Sequence, residues 1–214
     1  MKTPAEWVEI LTKVGVRAET AVRWADAFSE AVTPDAFSLG TEEIDDFLAN
    51  ILHESARLET LEENLNYSAE ALIAKFGRHR ISEADAWKYG RTATQKANQP
   101  MIANCIYGGE WGAKNLGNVE PGAGWRNRGS GLLQATGAAN MAFLEKVTGL
   151  PLVANPDLLR RPGPEALKVA IAWWEGKVSD SIIGNVAKTR KVVNGGDLGL
   201  ADVAALTDKL QDVA

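Results

Sequence analysis

Apolar residues fall at Ile44, Phe47, Leu48, Ile51 and Leu52, the i, i+3, i+4, i+7, i+8 spacing of one helical face. The same period runs through nearly the whole chain. A chain built this way must bury a series of one-faced helices against one another. Thr3-Pro4-Ala5-Glu6 reads as a capping box with proline at the first helical position, opening a helix that buries Trp7, Ile10, Leu11 and Val14. A second helix runs through "ETAVRWADAFSEAV" and stops near Thr33-Pro34. Thr41 is placed to cap the third, with Glu42 and Glu43 favourable to its dipole in the first turn. Helical patterns resume at "TGAANMAFLEKVTG", stopped by Gly149 and Pro151, and continue through "PGPEALKVAIAWWEGK", "DSIIGNVAKTRKVVNGG" and "LADVAALTDKLQDVA".

Between these segments two stretches differ. Residues 74–100 are polar, with a basic cluster at Lys75, Arg78, His79 and Arg80, and suit a small second lobe. Residues 101–137 are dense in glycine, aromatics and asparagine and read as loops, which carry function more often than stability. With 214 residues and no Gly/Ser linker, the expectation is a single domain over 1–214 without a separately hinged binding module. A net charge of −5 argues against a nucleic-acid partner. Cys105 is the single cysteine, so no disulfide forms within the chain. The polar N-terminus has no apolar core of a secretory signal, and no run approaches the roughly 18 apolar residues of a membrane span.

The residues restrict the chemistry. His53-Glu54 begins like a zinc-protease motif, but Arg57 stands where the second histidine belongs. Two histidines, His53 and His79, and one cysteine are a poor ligand set, so no metal or other cofactor is expected. No G-x-S-x-G elbow is present; Gly129-Ser130-Gly131 is a weak match, and Gly195-Gly196 reads as a helix C-cap.

Carboxylates remain. Most charged runs are solvated faces, and Glu59 and Glu62 fit that description. Glu54 instead projects roughly 80° from Ile44, on the flank of the apolar stripe. A carboxyl there loses part of its hydration, which favours its neutral, proton-donating form. The competing structural reading pairs Glu54 with Arg57 at a helix end. Glu63 opens "ENLNYS", whose asparagines and tyrosine are placed to hydrogen-bond around it. One glutamate on a helix and a second on the following loop meet the requirement of glycoside hydrolysis, in which one protonates the leaving oxygen and the other activates water. Tyr107, Trp111, Trp125, Asn127, Gln134 and Asn140 supply the amides and aromatic rings that sugars need.

Four separated blocks, "HESARLETLEENLNYSAEAL", "ANCIYGGEWG", "GWRNRGSGLLQATGAAN" and "VVNGG", resemble in the same order the family 19 glycoside hydrolases. Within them the sequence looks most like the chitinase-like endolysins of bacteriophages of Gram-negative bacteria, over roughly residues 44–200. The resemblance implies a mainly α, lysozyme-like fold, with a larger helical body and a smaller lobe flanking a substrate groove. It implies Glu54 as general acid and Glu63, nine residues on, as the second carboxylate, with the adjacent Glu62 as the alternative. Arg128 to Thr136 match the family's R-G-x-G-[LP]-[IL]-Q-[LA]-[ST] block. On that match Gln134 contacts sugar and Thr136 helps hold the attacking water, and Asn140, four residues on, is a sugar ligand; the "VVNGG" block places Asn194 near the cleft, to bind substrate or to steady the second carboxylate, and Tyr107, Trp125 and Arg128 complete the expected substrate-binding residues. Three positions depart: Ser130 replaces an arginine, Met141 replaces an aromatic, and Ala56-Arg57 replaces a common Gly-Gly.

The activity implied is hydrolysis of β-1,4 bonds between the amino sugars of peptidoglycan, with inversion, for lysis of a host cell. The alternatives are a chitinase, a lytic transglycosylase that needs one glutamate only, and a wall-binding module without catalysis. The expected partner is the peptidoglycan glycan strand, met by a monomer with no stable protein partner. The expected location is the host cytoplasm until the membrane opens, and then the periplasm.

Overall fold

The computed structural model describes residues 1–211 as twelve α-helices joined by short 3-10 turns, with isolated β-bridges in place of extended strands among those residues. The chain forms two compact units. The first comprises residues 1–61, 131–133 and 157–214; the second comprises 62–130 and 134–156. The last three residues of the C-terminal helical pattern lie outside the described residues.

The first unit holds α1 (Pro4–Lys13), α2 (Ala18–Ala31), α3 (Ile44–Glu54), α10 (Pro164–Lys177), α11 (Val186–Asn194) and α12 (Leu200–Gln211). Thr3 and Glu6 form both halves of the expected capping box, and Trp7, Ile10, Leu11 and Val14 are all buried. The stripe of α3 behaves as its spacing requires: Phe47, Leu48, Ile51 and Leu52 are buried, and Ile44 packs on the edge of the core. Trp7, Phe28, Trp24 and Phe47, Phe37, Trp174 meet as edge-on or tilted aromatic pairs.

The start of α3 differs from the expectation. Thr41 caps nothing; Gly40–Glu43 form a 3-10 turn and the helix begins at Ile44. Glu43 is buried and is claimed elsewhere. It accepts from the Leu39 amide at 2.8 Å and from Trp174 Nε1 at 3.0 Å, so its charge serves the core and not the helix dipole. "DSIIGNVAKTRKVVNGG" is likewise not one helix: a 3-10 turn at Asp180–Ile182 and the positive φ of Gly184 precede α11, which Asn185 caps.

The second unit holds α4 (Ala69–Lys75), α5 (Glu83–Tyr89), α6 (Gln99–Ile106), α7 (Gly109–Leu116), α8 (Ala123–Arg126) and α9 (Ala138–Thr148). Leu65, Leu72, Phe76, Ile81, Ile102 and Ile106 form its core, with Tyr107 and Trp125 packed against them. The glycine-rich stretch expected as loop thus contains α6, α7 and α8; its glycines sit mainly at helix boundaries, where αL residues such as Gly117 close a helix.

Candidate active site

Glu54 is the last residue of α3, and its side chain keeps 23% exposure. Its ion-pair partner is not Arg57. Arg190 of α11, with a side chain only 1% exposed, sets its guanidinium 2.6 Å from Glu54 Oε1. The contact is an ion pair by distance without hydrogen-bond alignment, and Oε1 is buried. Arg190 is held in turn by donating to the Leu198 carbonyl at 2.7 Å and, at 3.4 Å, to Asn50. Arg57 turns to α12, where it grips Asp202 with two bonds of 2.6 and 3.0 Å.

The backbone after Glu54 is unusual. Ala56, Arg57 and Leu58 have φ of 49°, 61° and 68°. Three successive left-handed residues with side chains cost roughly 1–2 kcal/mol each. Two of them fall where the resemblance places a common Gly-Gly. The turn is satisfied internally: the Arg57 amide donates to the Leu52 carbonyl at 2.7 Å, and Ser55 Oγ accepts from the Leu58 amide at 2.9 Å.

Glu63 lies in the second unit, in a small ribbon where Glu62 pairs with Ser130 and Ser130 with Ala135. The amide of Glu63 donates to the Gly129 carbonyl at 3.0 Å. Both of its carboxylate oxygens accept: Oε1 from the Tyr107 hydroxyl at 2.6 Å and Oε2 from the Gly129 amide at 3.3 Å. Burial first, and then the adjacent carboxylate, push the Tyr107 hydroxyl far above its ordinary range, so it remains a donor. The "ENLNYS" side chains expected around Glu63 are engaged locally: Asn64 accepts from the Asn66 amide, and the Tyr67 hydroxyl accepts from Lys75. A Cβ at Gly129 would come within 2.8 Å of Gln134 Oε1 and 3.1 Å of Glu63 Cβ, so a side chain there would displace the end of Gln134.

The remaining predicted residues divide by role. Gln134, at φ 51°, stands at the same turn. Thr136 donates its hydroxyl hydrogen to the Gln134 carbonyl at 3.0 Å, so the hydroxyl accepts and does not donate outward. Asn140, exposed on α9, donates to the Thr136 carbonyl at 2.6 Å. Arg128 stacks 3.6 Å from the centre of the Trp125 ring and donates to Glu62 at 2.6 Å, so Glu62 is an ion-pair partner. Asn127 is buried and bonded to Asn118. Trp111 covers the Arg80 guanidinium at 3.9 Å, which gives one member of the basic cluster an aromatic seat. Asn194 is exposed at the end of α11.

Arg190 and Asp202 are the functional candidates that sequence reasoning missed. No local signal marks an arginine inside an amphipathic helix as the one that will be buried. Among the described residues, no three His, Cys, Asp or Glu side chains come together to hold a metal ion, and no helix is long and apolar enough to cross a membrane.

No family model matches the sequence. The fold is similar to chitinase C of Streptomyces griseus HUT6037, with a TM-score of 0.54 and 16% identity over 99% of this chain and 75% of that one. It is equally similar to a family 19, class IV chitinase of Zea mays, with a TM-score of 0.53 and 14% identity over 99% and 91%. These likenesses concern the helical fold. In sequence, a protein of Haemophilus influenzae described as containing a glycosyl hydrolase family 19 domain is 33% identical over 156 residues, 72% of this chain and 71% of its own. On that relationship the chain belongs to glycosyl hydrolase family 19.

Proposed function

We propose that this glycosidase hydrolyses β-1,4 bonds between the amino sugars of bacterial peptidoglycan, with inversion, as an endolysin of the kind bacteriophages use to lyse Gram-negative hosts. The observation that carries the reading is the pair of differently held carboxylates, Glu54 against Arg190 and Glu63 under Tyr107 and Gly129. Their nine-residue spacing is that of the shorter bacterial members the sequence resembles. The single cysteine supports the same reading over a chitinase stapled by disulfides.

Glu54 acts as the general acid. With Oε1 against Arg190, the other carboxyl oxygen, Oε2, carries the proton to the departing glycosidic oxygen. Glu63 acts as the base. Because the Thr136 hydroxyl spends its hydrogen on Gln134, it accepts one hydrogen of a bound water. Glu63 accepts the other, which leaves the water's lone pair for the anomeric carbon. Gln134 and Asn140 bind sugar, and Trp125, Tyr107, Arg128 and Asn194 are further substrate contacts. The enzyme works as a monomer in the periplasm after accumulating in the host cytoplasm, its release depending on membrane opening.

Digestion of purified peptidoglycan, with chitin in parallel, tests this. Mass spectrometry should find new reducing amino-sugar ends. Anhydro ends would mean transglycosylation, and cleavage of chitin alone would make the protein a chitinase.

A further inference from the structure

Asp202 of α12 binds residues on both sides of Glu54. Its Oδ2 accepts from His53 Nδ1 at 2.6 Å; a carboxylate only accepts, so the imidazole proton sits on that nitrogen. Its two oxygens also take the Arg57 guanidinium in a bidentate pair. His53 immediately precedes Glu54, and Arg57 is the middle residue of the left-handed turn that follows it. The segment just before Asp202 reinforces the hold. The Leu198 carbonyl accepts from Arg190, the residue that touches the Glu54 carboxylate. Gly199, at φ 80°, lies so close to the imidazole that a Cβ would stand 2.1 Å from His53 Nε2.

We propose that Asp202 is a positioning residue for the catalytic acid: by clamping His53 and Arg57 it holds the 56–58 turn in its left-handed form and fixes the direction in which Glu54 leaves α3. The inference rests on the reading of Glu54 as the acid. Side chains at positions 56 to 58 oppose the backbone they occupy, and glycine would not. Where glycines stand, the turn holds itself; here Ala56 and Arg57 stand there, and the fold supplies a carboxylate to keep the turn in place. Removal of the clamp frees the three residues to return to ordinary φ and turns the end of α3 with them.

The test measures kcat and KM on soluble peptidoglycan fragments and, in parallel, on N-acetylglucosamine oligomers, together with the thermal midpoint. Asp202→Asn keeps the shape but not the charge, and should lower kcat per folded molecule about tenfold with KM changed less than about twofold, the folded fraction being read from the thermal unfolding curve at the assay temperature. Adding Ala56→Gly to Asp202→Asn should recover at least about a third of the lost kcat, because glycine accepts the turn unaided. Wild-type kcat in folded Asp202→Asn, a loss that only tracks the unfolded fraction, or no recovery on adding the glycine would each overturn the proposal. Glu54→Gln is the control: full activity there removes the assignment of the acid and this inference together, whereas an inactive Glu54→Gln beside a fully active Asp202→Asn removes the inference alone.

Discussion

The two carboxylates sit in opposite kinds of surroundings. Glu54 is met by charge: a buried guanidinium lies against one oxygen, and a second ion pair, Arg57 with Asp202, ties down the turn that follows. Glu63 is met by neutral donors, a phenol and a backbone amide. On the proposed roles, the residue that gives up a proton and regains it has one oxygen against a guanidinium. A residue that must receive a proton from water is held at both oxygens by groups that cannot themselves give up a proton near neutral pH. On the proposed roles, one chain prepares the same side chain for two tasks by varying its partners and leaving the residue type alone.

The largest expected effect breaks the comparison at its charged end. Glu54→Gln keeps the shape and removes the transferable proton, and kcat should fall by about 10²–10⁴-fold while the thermal midpoint stays near that of the wild type. Near-wild-type turnover would assign the acid elsewhere. Glu63→Gln and Thr136→Ala come next, each lowering kcat by about 10²-fold and KM little, whereas Glu62→Gln, which loses a half-exposed ion pair with Arg128, should stay within about twofold. An essential Glu62 would exchange the two neighbours. Tyr107→Phe should cost about tenfold in kcat, since a hydrogen bond to a charged group is worth about 1.5–3 kcal/mol; a change confined to KM would make Tyr107 a sugar contact only.

Acid sharpens the contrast with the smallest effect. Arg57 first, and then His53, hold the Asp202 carboxyl at about 2, against the opposing pull of partial burial. The folded state therefore favours the ionised form. That contribution is complete above the unfolded aspartate value of about 3.9 and is lost as pH falls from about 4 to about 2. Glu59, held at about 2 by Arg17 and Thr20, titrates alike in both proteins, so the gap between the urea midpoints of wild type and Asp202→Asn isolates Asp202. The gap should close on acidification. A gap that is constant from pH 7 to pH 2 would leave Asp202 without a folded-state charge partner. Tyr107, whose hydroxyl is pushed upward, adds no acid step on the side of Glu63.

What was legible in the sequence was local. The Thr3/Glu6 capping box, the α3 stripe and the αL glycine ending α9 are contacts within a few residues, and residue type alone carries them. Two assignments failed where a distant group outbid a near one. Glu43 looked like a helix-dipole residue and went to Trp174, and the "ENLNYS" side chains lost Glu63 to Tyr107. Arg190 and Asp202 were invisible for the same reason, since nothing near them in the chain points to α3. The 56–58 turn was hidden because alanine, arginine and leucine ordinarily advertise a helix.

The division of the chain has a consequence for synthesis. The second unit, residues 62–130 and 134–156, is complete in sequence well before α11 and α12 are made, while the first unit draws on both halves of the chain. On the ribosome the second unit has all its residues early, and α1 to α3 must wait for partners from the C-terminal third. Arg190 and Asp202 are among those late partners, so a nascent chain carries Glu54 from early on without the groups that contact it and the turn after it. On the proposed roles, a competent glycosidase forms only once translation is nearly finished.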